Sequence, residues 1–187
     1  MIAMPDIQTE RLNLIPLTLR QLSLYLADPQ RLERELGLSI SRSILTERVR
    51  RAIEMKVSKM TRAEENTHAW YTYWLVVVAQ EPFGAGLAGF KGYPDEDGEV
   101  EIGYGIDPSY QGKGYTTEAV QALITWAFQE PDCKSVIAPD TKKWNIASNR
   151  ILEKVGMHVY NETDDALFWR IDKIGSQRMS KIQGEEK

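Results

Sequence analysis

The spacing of apolar positions divides the chain into short strands and amphipathic helices. Apolar, β-branched and aromatic residues over 70–79 predict a strand, and turn-forming residues separate it from two further strands at 83–91 and 99–106. Three successive strands joined by turns indicate an antiparallel meander. Shorter strands are predicted at 9–16, 135–138, 158–161 and 167–171.

Three other segments carry apolar residues at spacings of three and four, the period of a helix that buries one face. The clearest covers 41–60, the second opens after Gly114 and runs to about Gln129, and the third covers 145–155. Gly156 follows the third helix, and we expect it to end that helix in the left-handed conformation. A further short helix is predicted at 17–26.

The composition is that of a globular domain. The chain has 187 residues, 42% hydrophobic and 27% charged, so we expect one domain over 1–175 and a polar tail at 176–187. The net charge of −4 disfavours nucleic acid as a partner. No apolar run has the length of a membrane helix, and no signal peptide is recognisable. With a single cysteine, these features predict a cytoplasmic protein that binds neither nucleic acid nor membrane.

Residues 84–89 read GAGLAG, which matches the G-x-G-x-x-G pattern of a dinucleotide-binding turn. That turn requires a helix directly after its glycines, because the pyrophosphate rests on the N-terminus of the helix. The following residues contain Gly92, Pro94 and Gly98 and cannot sustain a helix. We therefore predict that these glycines belong to a strand, where Gly86 and Gly89 would leave room for substrate if they face a pocket.

A second glycine pair has the sequence context that phosphate binding requires. Residues 110–119 read YQGKGYTTEA, with a predicted strand before them and an amphipathic helix after them. Gly112 and Gly114 leave space for a ligand, and the N–H groups of about 112–116 are unpaired at the start of the helix. Together with the helix dipole, these groups predict an anion site.

Three segments share the motifs of one enzyme family. Residues 101–119 read EIGYGIDPSYQGKGYTTEA, residues 145–157 read NIASNRILEKVGM, and residues 9–12 read TERL. Together they resemble the GNAT N-acetyltransferases, and especially the RimJ/RimL-like branch that includes ribosomal-protein alanine N-acetyltransferases. The acetyl-CoA signature Gln/Arg-x-x-Gly-x-Gly/Ala is matched except for its last position, which is Thr116. Met157 likewise replaces a phenylalanine of the family pattern.

The resemblance implies an α/β (α+β) fold of the GNAT type. Such a fold has a mixed, mostly antiparallel sheet of about seven strands with a splayed parallel pair, flanked by about four helices. The parallel pair would consist of the strands at 99–106 and 135–138.

The resemblance also implies that acetyl-CoA is the cosubstrate and lies between the splayed strands. Its pyrophosphate would lie on the glycine loop, with Lys113, Lys142 and Lys143 as candidates for the outer phosphates. Many members protonate the departing thiolate with a tyrosine, which is Leu152 here, so Ser148 is expected to take that role. The residues implied to contact acetyl-CoA are Tyr104, Ile106, Gln111, Gly112, Lys113, Gly114, Tyr115, Thr116, Asn145 and Ser148. Asn145 is equally suited to cap the helix that follows it.

A base that accepts the proton of the attacking amine is harder to identify. Glu101 is the candidate, because it lies on the strand that borders the thioester. Glu99 shares its face by strand alternation, Glu162 is a more distant candidate, and water-relayed proton loss remains open. No metal site is expected, since His68 and His158 lack ligand spacing and Cys133 has no histidine nearby in sequence.

The predicted function is acetyl transfer from acetyl-CoA to a primary amine by direct attack in a ternary complex. The acceptor could be a protein N-terminus or a small-molecule amine, and a homodimer is possible. The alternative is a non-catalytic acyl-CoA sensor or interaction domain with the same fold.

Overall fold

The computed structural model describes residue 4 and residues 6–174, so the tail predicted at 176–187 lies outside the described residues. Nine strands form one sheet in this part of the chain. They are β1 (Ile7–Gln8), β2 (Leu12–Pro16), β3 (Ser39–Ile40), β4 (Trp74–Val78), β5 (Phe83–Phe90), β6 (Glu99–Ile106), β7 (Ser135–Lys142), β8 (His158–Glu162) and β9 (Ala166–Asp172). Their spatial order is β1–β2–β4–β5–β6–β7–β9–β8, and β3 pairs in parallel with β5 off this path.

Six α-helices cover the two faces of the sheet within the described ranges. They are α1 (Leu19–Ala27), α2 (Pro29–Leu36), α3 (Glu47–Met60), α4 (His68–Tyr71), α5 (Tyr115–Ala127) and α6 (Ile146–Lys154). Side chains of α1, α2 and α3 form one core with Leu75, Val77 and Leu87 of the sheet. Side chains of α4, α5 and α6 form the other core, against Val76 and Ile102. Alternate residues of each strand therefore point into different cores.

The predicted meander is confirmed, since β4, β5 and β6 pair antiparallel in sequence order. The mostly antiparallel GNAT-type sheet is confirmed as well, and the two strands beyond the expected number, β1 and β3, have two residues each. Gly156 has a φ of +85° directly after α6, as expected for a left-handed cap.

Two predicted elements begin at least four residues later than expected. The helix predicted over 41–60 starts at Glu47, because Thr46 caps it by accepting the N–H of Val49. The residues before it are bound to β5 instead, where Ser41 donates its N–H to the carbonyl of Gly84. The strand predicted from residue 70 starts at Trp74, because residues 68–71 form α4.

The glycines of GAGLAG lie in β5 and allow close approach of neighbouring backbone. A Cβ at Gly86 would lie 2.7 Å from the carbonyl oxygen of Gly105, and a Cβ at Gly89 would lie 2.6 Å from that of Thr72. A β-bulge also occurs where β5 pairs with Val76 and Val77. The prediction of a strand role is therefore confirmed, but the suggestion that Gly86 and Gly89 make room for substrate is wrong, since both pack against backbone.

The parallel pair of β6 and β7 diverges along its length. The two strands are in register only from Glu99, opposite Ser135, to Glu101, opposite Ile137. Beyond that point β6 stays paired with β5 as far as Ile106, and β7 stays paired with β9. A register shift follows Ala138 in β7 and includes a positive φ of 54° at Asp140. The predicted splay is confirmed, and it opens a gap in the middle of the sheet.

Candidate active site

The loop from β6 into α5 presents a row of free backbone N–H groups. Gly112 and Gly114 have φ values of +74° and +83°, which side chains rarely adopt. The N–H groups of residues 112–117 have no hydrogen-bond acceptor in the described part of the chain. A Cβ at Gly112 would meet nothing within 4 Å in the part of the chain that the structure describes, so the loop is open above this glycine there. We call residues 112–117 the amide cradle.

The start of α5 differs from that of the other long helices. Gly114 occupies its N-cap position, and no side chain caps the helix. The other four helices of eight residues or more each have a side-chain cap, from Thr18, Asp28, Thr46 and Asn145. Free N–H groups at the positive end of a 13-residue helix form a ready anion site. The cradle therefore suits a diphosphate.

The gap beside the cradle is lined by unpaired strand backbone. The N–H of Asp107 donates to the carbonyl of Ala85 in β5. The carbonyl of Glu101 accepts the N–H of Lys91, the residue that directly follows β5. Because backbone groups alternate in direction along an antiparallel strand, those of Tyr104 and Ile106 point the other way, toward β7. The registered pairing with β7 has ended at Glu101. These groups therefore face the gap and could bind the amides of an extended ligand.

One side of the gap is held by contacts between β6 and α6. The hydroxyl of Tyr104 donates to the carbonyl of Ser148 at 3.4 Å, and burial raises the pKa of Tyr104 to about 12. Asn145 accepts the N–H of Ser148 at 3.2 Å, which confirms its role as the N-cap of α6. The hydroxyl of Ser148 has no hydrogen-bond partner among the described residues, so it can donate to a ligand.

Glu101 lies on the opposite face of the sheet from Ser148. It forms an ion pair with Lys91, and Glu99, two residues earlier on the same face, pairs with Arg170. Both carboxylates border a cavity of about 440 Å³ on the side of α3. The other residues around this cavity are Lys59, Tyr71, Lys91, Gly92, Tyr93, Asp95, Val100 and Ile137.

Two glycines extend the same face of β6 beyond Glu101. A Cβ added at Gly103 or at Gly105 would meet no atom of the described residues within 4 Å. Strand alternation places both on the face of Glu101, above the gap. The face of β6 that begins in the cavity therefore continues as an open surface toward the amide cradle. These glycines were not among the predicted site residues, although their i, i+2 spacing after Glu101 was the available signal.

The lysines proposed for phosphate binding have other contacts in this structure. The ammonium of Lys113 lies 4.7 Å from the centre of the Tyr110 ring and is exposed. Lys142 pairs with Asp140 and Asp165, while Lys143 lies 3.6 Å from Glu162. Gln111 is exposed at the entrance to the cradle and donates its N–H to Pro108.

Other chemically active groups lie away from this site. Cys133 is fully buried, and burial raises the pKa of its thiol to about 11. No cluster of histidine, cysteine and carboxylate side chains suited to a metal occurs among the described residues. In the same part of the chain, no helix is long and apolar enough to cross a membrane.

An ion-pair network beside the cradle was missed by the sequence analysis. Arg11, just before β2, contacts Glu118 in the first turn of α5 and also the carbonyl of Lys113. The sequence signal was the TERL segment, but its contact with residue 118 is long-range and has no spacing pattern.

Comparisons with known proteins agree with the fold. The model of the acetyltransferase (GNAT) domain family matches residues 11–158. An uncharacterized N-acetyltransferase of Bacillus subtilis, YjdG, is 34% identical over 96 residues, which cover 51% of this chain and 56% of that protein. This alignment thus spans little more than half of the length of the curated relative.

Solved structures share the fold at low sequence identity. A ribosomal-protein-alanine acetyltransferase from Vibrio fischeri has a TM-score of 0.65 at 17% identity, covering 92% of this chain and 98% of that one. RimL, a ribosomal α-N-protein acetyltransferase solved in complex with coenzyme A, has a TM-score of 0.61 at 18% identity, covering 90% and 98%. With the family model matching most of its length, the chain belongs to the GNAT acetyltransferase family.

Proposed function

We propose that this protein is an N-acetyltransferase that transfers the acetyl group of acetyl-CoA to a primary amine. The observation that supports this most is the juxtaposition of the amide cradle with the gap between β6 and β7. Six free N–H groups suit a pyrophosphate, and the strand backbone at Tyr104 and Ile106 suits the pantetheine amides. The coenzyme A bound to the related RimL structure supports the same ligand class.

The residues present fit acetyl-CoA along the whole path. The amide cradle would hold the pyrophosphate, with Thr116 contributing its amide, and Gln111, whose own N–H is donated to Pro108, would border it at the entrance. Asn145 and Ser148, at the start of α6, would border the pantetheine. When bound, acetyl-CoA supplies a thioester-activated acetyl group.

The polar side chains proposed to act in catalysis lie on opposite faces of the sheet and have different roles. Glu101, on the α3 face, where it pairs with Lys91, would accept the proton of the attacking amine. Ser148, on the α6 face, would donate a hydrogen bond or proton to the departing thiolate. A free N–H of β6 at Tyr104 or Ile106 would stabilise the oxyanion. An amine approaching on one face and a thiolate leaving on the other fits direct attack in a ternary complex.

The acceptor would enter from the cavity of about 440 Å³ beside Glu99 and Glu101. Carboxylates and tyrosines on its wall suit an amine with a short chain behind it. A protein N-terminus and a small-molecule amine both fit this description.

The test is the release of free coenzyme A from acetyl-CoA in the presence of peptides, amino acids, polyamines and aminoglycosides. We expect amine-dependent, saturable release with at least one of these classes. The variant Gly114→Trp should abolish it, because a side chain at this positive φ would push against Nη2 of Arg11, 3.2 Å from its Cβ, and distort the cradle. Absence of acetyl-CoA binding at concentrations up to about 1 mM, the upper end of ordinary KM values, would refute the proposal. Tight binding without turnover of any amine would favour the non-catalytic sensor.

A further inference from the structure

Arg11 and Glu118 form a network that fixes the amide cradle from behind. The guanidinium contacts one carboxylate oxygen of Glu118 through Nε at 2.7 Å and through Nη2 at 2.6 Å. The other oxygen accepts the N–H of Arg11 at 2.9 Å and the hydroxyl of Thr9 at 2.7 Å. Burial raises the pKa of Glu118, but the hydrogen bonds from Thr9 and Arg11 outweigh it, so the pKa is lowered overall. The carboxylate is thus charged and fully bonded.

The same guanidinium also holds the cradle itself. Its Nη1 donates to the carbonyl of Lys113 at 2.9 Å, and its carbon lies 4.9 Å from the centre of the Tyr115 ring. The carbonyl of one residue and the N–H of the next point in opposite directions across a trans peptide. Because Arg11 binds the carbonyl of Lys113, the N–H of Gly114 must point away from Arg11, where it has no acceptor in the described chain.

The identity of residue 114 depends on this arrangement. Among the described residues, the one atom within 4 Å of a Cβ placed at Gly114 is Nη2 of Arg11, at 3.2 Å. A side chain there would push against the guanidinium in addition to the strain of a φ of +83°. No side chain caps α5, so Arg11 and Glu118 supply the constraint that a capping residue supplies elsewhere.

We propose that Arg11 is a positioning residue for the cosubstrate, which preorganises the amide cradle through Glu118 and the carbonyl of Lys113. This inference rests on the proposed function, since the ligand is acetyl-CoA. An ordered cradle binds the pyrophosphate without first losing conformational freedom, and this increases affinity. Arg11 acts on the cradle through backbone rather than as a catalytic residue.

The main test is the Kd of acetyl-CoA measured by calorimetry for the wild type and for Arg11→Met. We expect a 10- to 100-fold weaker Kd, roughly the value of one charge-assisted hydrogen bond, with little change in the KM of the acceptor. Arg11→Lys keeps the charge but cannot hold Glu118 and Lys113 at once, so it should not restore affinity. Full rescue by lysine would overturn the positioning role in favour of simple charge attraction.

A second readout does not need the ligand. In the free protein, ¹⁵N relaxation should show order parameters near 0.85 for residues 112–117, falling toward 0.6 in Arg11→Met. Arg20→Met is the matched control, because Arg20 makes a two-pronged ion pair with Glu35 at 2.6 and 2.7 Å in the other helical layer. It should change neither readout. Glu118→Gln provides the same test if Arg11→Met does not fold.

The outcomes separate this inference from the proposed function. If the wild type does not bind acetyl-CoA, the proposed function fails, while the relaxation data still decide whether Arg11 orders the loop. If the wild type binds and Arg11→Met binds equally well with a rigid cradle, the positioning role is wrong and the proposed function stands.

Discussion

Adding one methyl group at Gly103 should affect the proposed active site without destabilising the fold. A Cβ there meets nothing within 4 Å, and the residue lies in β6 with an ordinary strand φ. Glycine in a strand costs about 0.5–1 kcal/mol relative to alanine because of its backbone freedom. Gly103→Ala should therefore leave the free energy of unfolding unchanged or raise it by up to about 1 kcal/mol.

Catalysis should respond in the opposite direction. The new methyl group would project from the face of β6 that continues from Glu101 over the gap, where the amine must approach. A displacement of about 1 Å in a reacting group can cost about 100-fold in rate, so we expect kcat/KM for the acceptor to fall about 10- to 100-fold. Steady-state kinetics and chemical denaturation of the same preparations measure both quantities.

Gly89→Ala is the matched control, because Gly89 is the cross-strand partner of Gly103. Its Cβ would lie 2.6 Å from the carbonyl of buried Thr72, so we expect a loss of about 1–3 kcal/mol in stability from overpacking. Wild-type kcat/KM in Gly103→Ala would show that the acceptor does not approach on this face. A loss of stability in that variant would show that the space above Gly103 is not open.

Three further predictions concern other residues. Burial lowers the pKa of Lys56 to about 7, so between pH 7 and 10.5 the unfolded chain binds more protons than the folded chain. The stability advantage of the wild type over Lys56→Met, measured by denaturation, should therefore grow by up to about 2 kcal/mol from pH 7 to pH 9. A difference that stays constant over this pH range would refute the prediction. Glu101→Gln should lower kcat/KM by about 10²–10⁴ for lysine-like amines and less for α-amines, which are already partly neutral at pH 7; equal losses would exclude a base role. Asn145→Ala should cost about 1 kcal/mol of stability through loss of the α6 cap, which thermal unfolding measures, and an unchanged melting temperature would contradict it.

The direction of the Lys56 pKa shift is set by burial, and the nearby charges of Lys59 and Lys91 lower the pKa further. Its ammonium donates to the carbonyls of Tyr71 and Thr72 at 3.1 Å each and to that of Phe90 at 2.5 Å, with no carboxylate among these acceptors. The carbonyls favour the charged form and oppose the effect of burial, so 2 kcal/mol is the upper value. The lysine joins α3 to the strand ends beside the proposed acceptor cavity.

The sequence predicted those helices and strands whose ends are determined by residues nearby in the chain. The strand at 99–106 agrees with β6, and the glycines after it predicted the loop that forms the cradle. The segment 29–40 was missed because one residue has two roles. Asp28 donates its N–H to end α1, and its side chain then caps α2 by accepting the N–H of Arg31. The helix predicted at 17–26 was recognised, but the start of the helix that follows it was not.

The features that the sequence did not predict depend on contacts between residues far apart in the chain. The pairing of Arg11 with Glu118 joins positions 107 residues apart, and no periodicity relates them. The glycines at 86 and 89 also depend on contacts between distant residues, although their spacing matched a nucleotide-binding pattern. Glycine is required at these two positions because backbone of β6 and of the segment before β4 packs against them. That backbone approaches them only in the folded sheet.

The central claim is that the amide cradle binds the pyrophosphate of acetyl-CoA. Its most direct test is a titration of ¹⁵N-labelled protein with acetyl-CoA, followed by the chemical shifts of the backbone amides. The account predicts that the largest saturable shifts occur at residues 112–117, with smaller ones at Tyr104 and Ile106. Saturable shifts confined to other parts of the chain, or none at all, would contradict it.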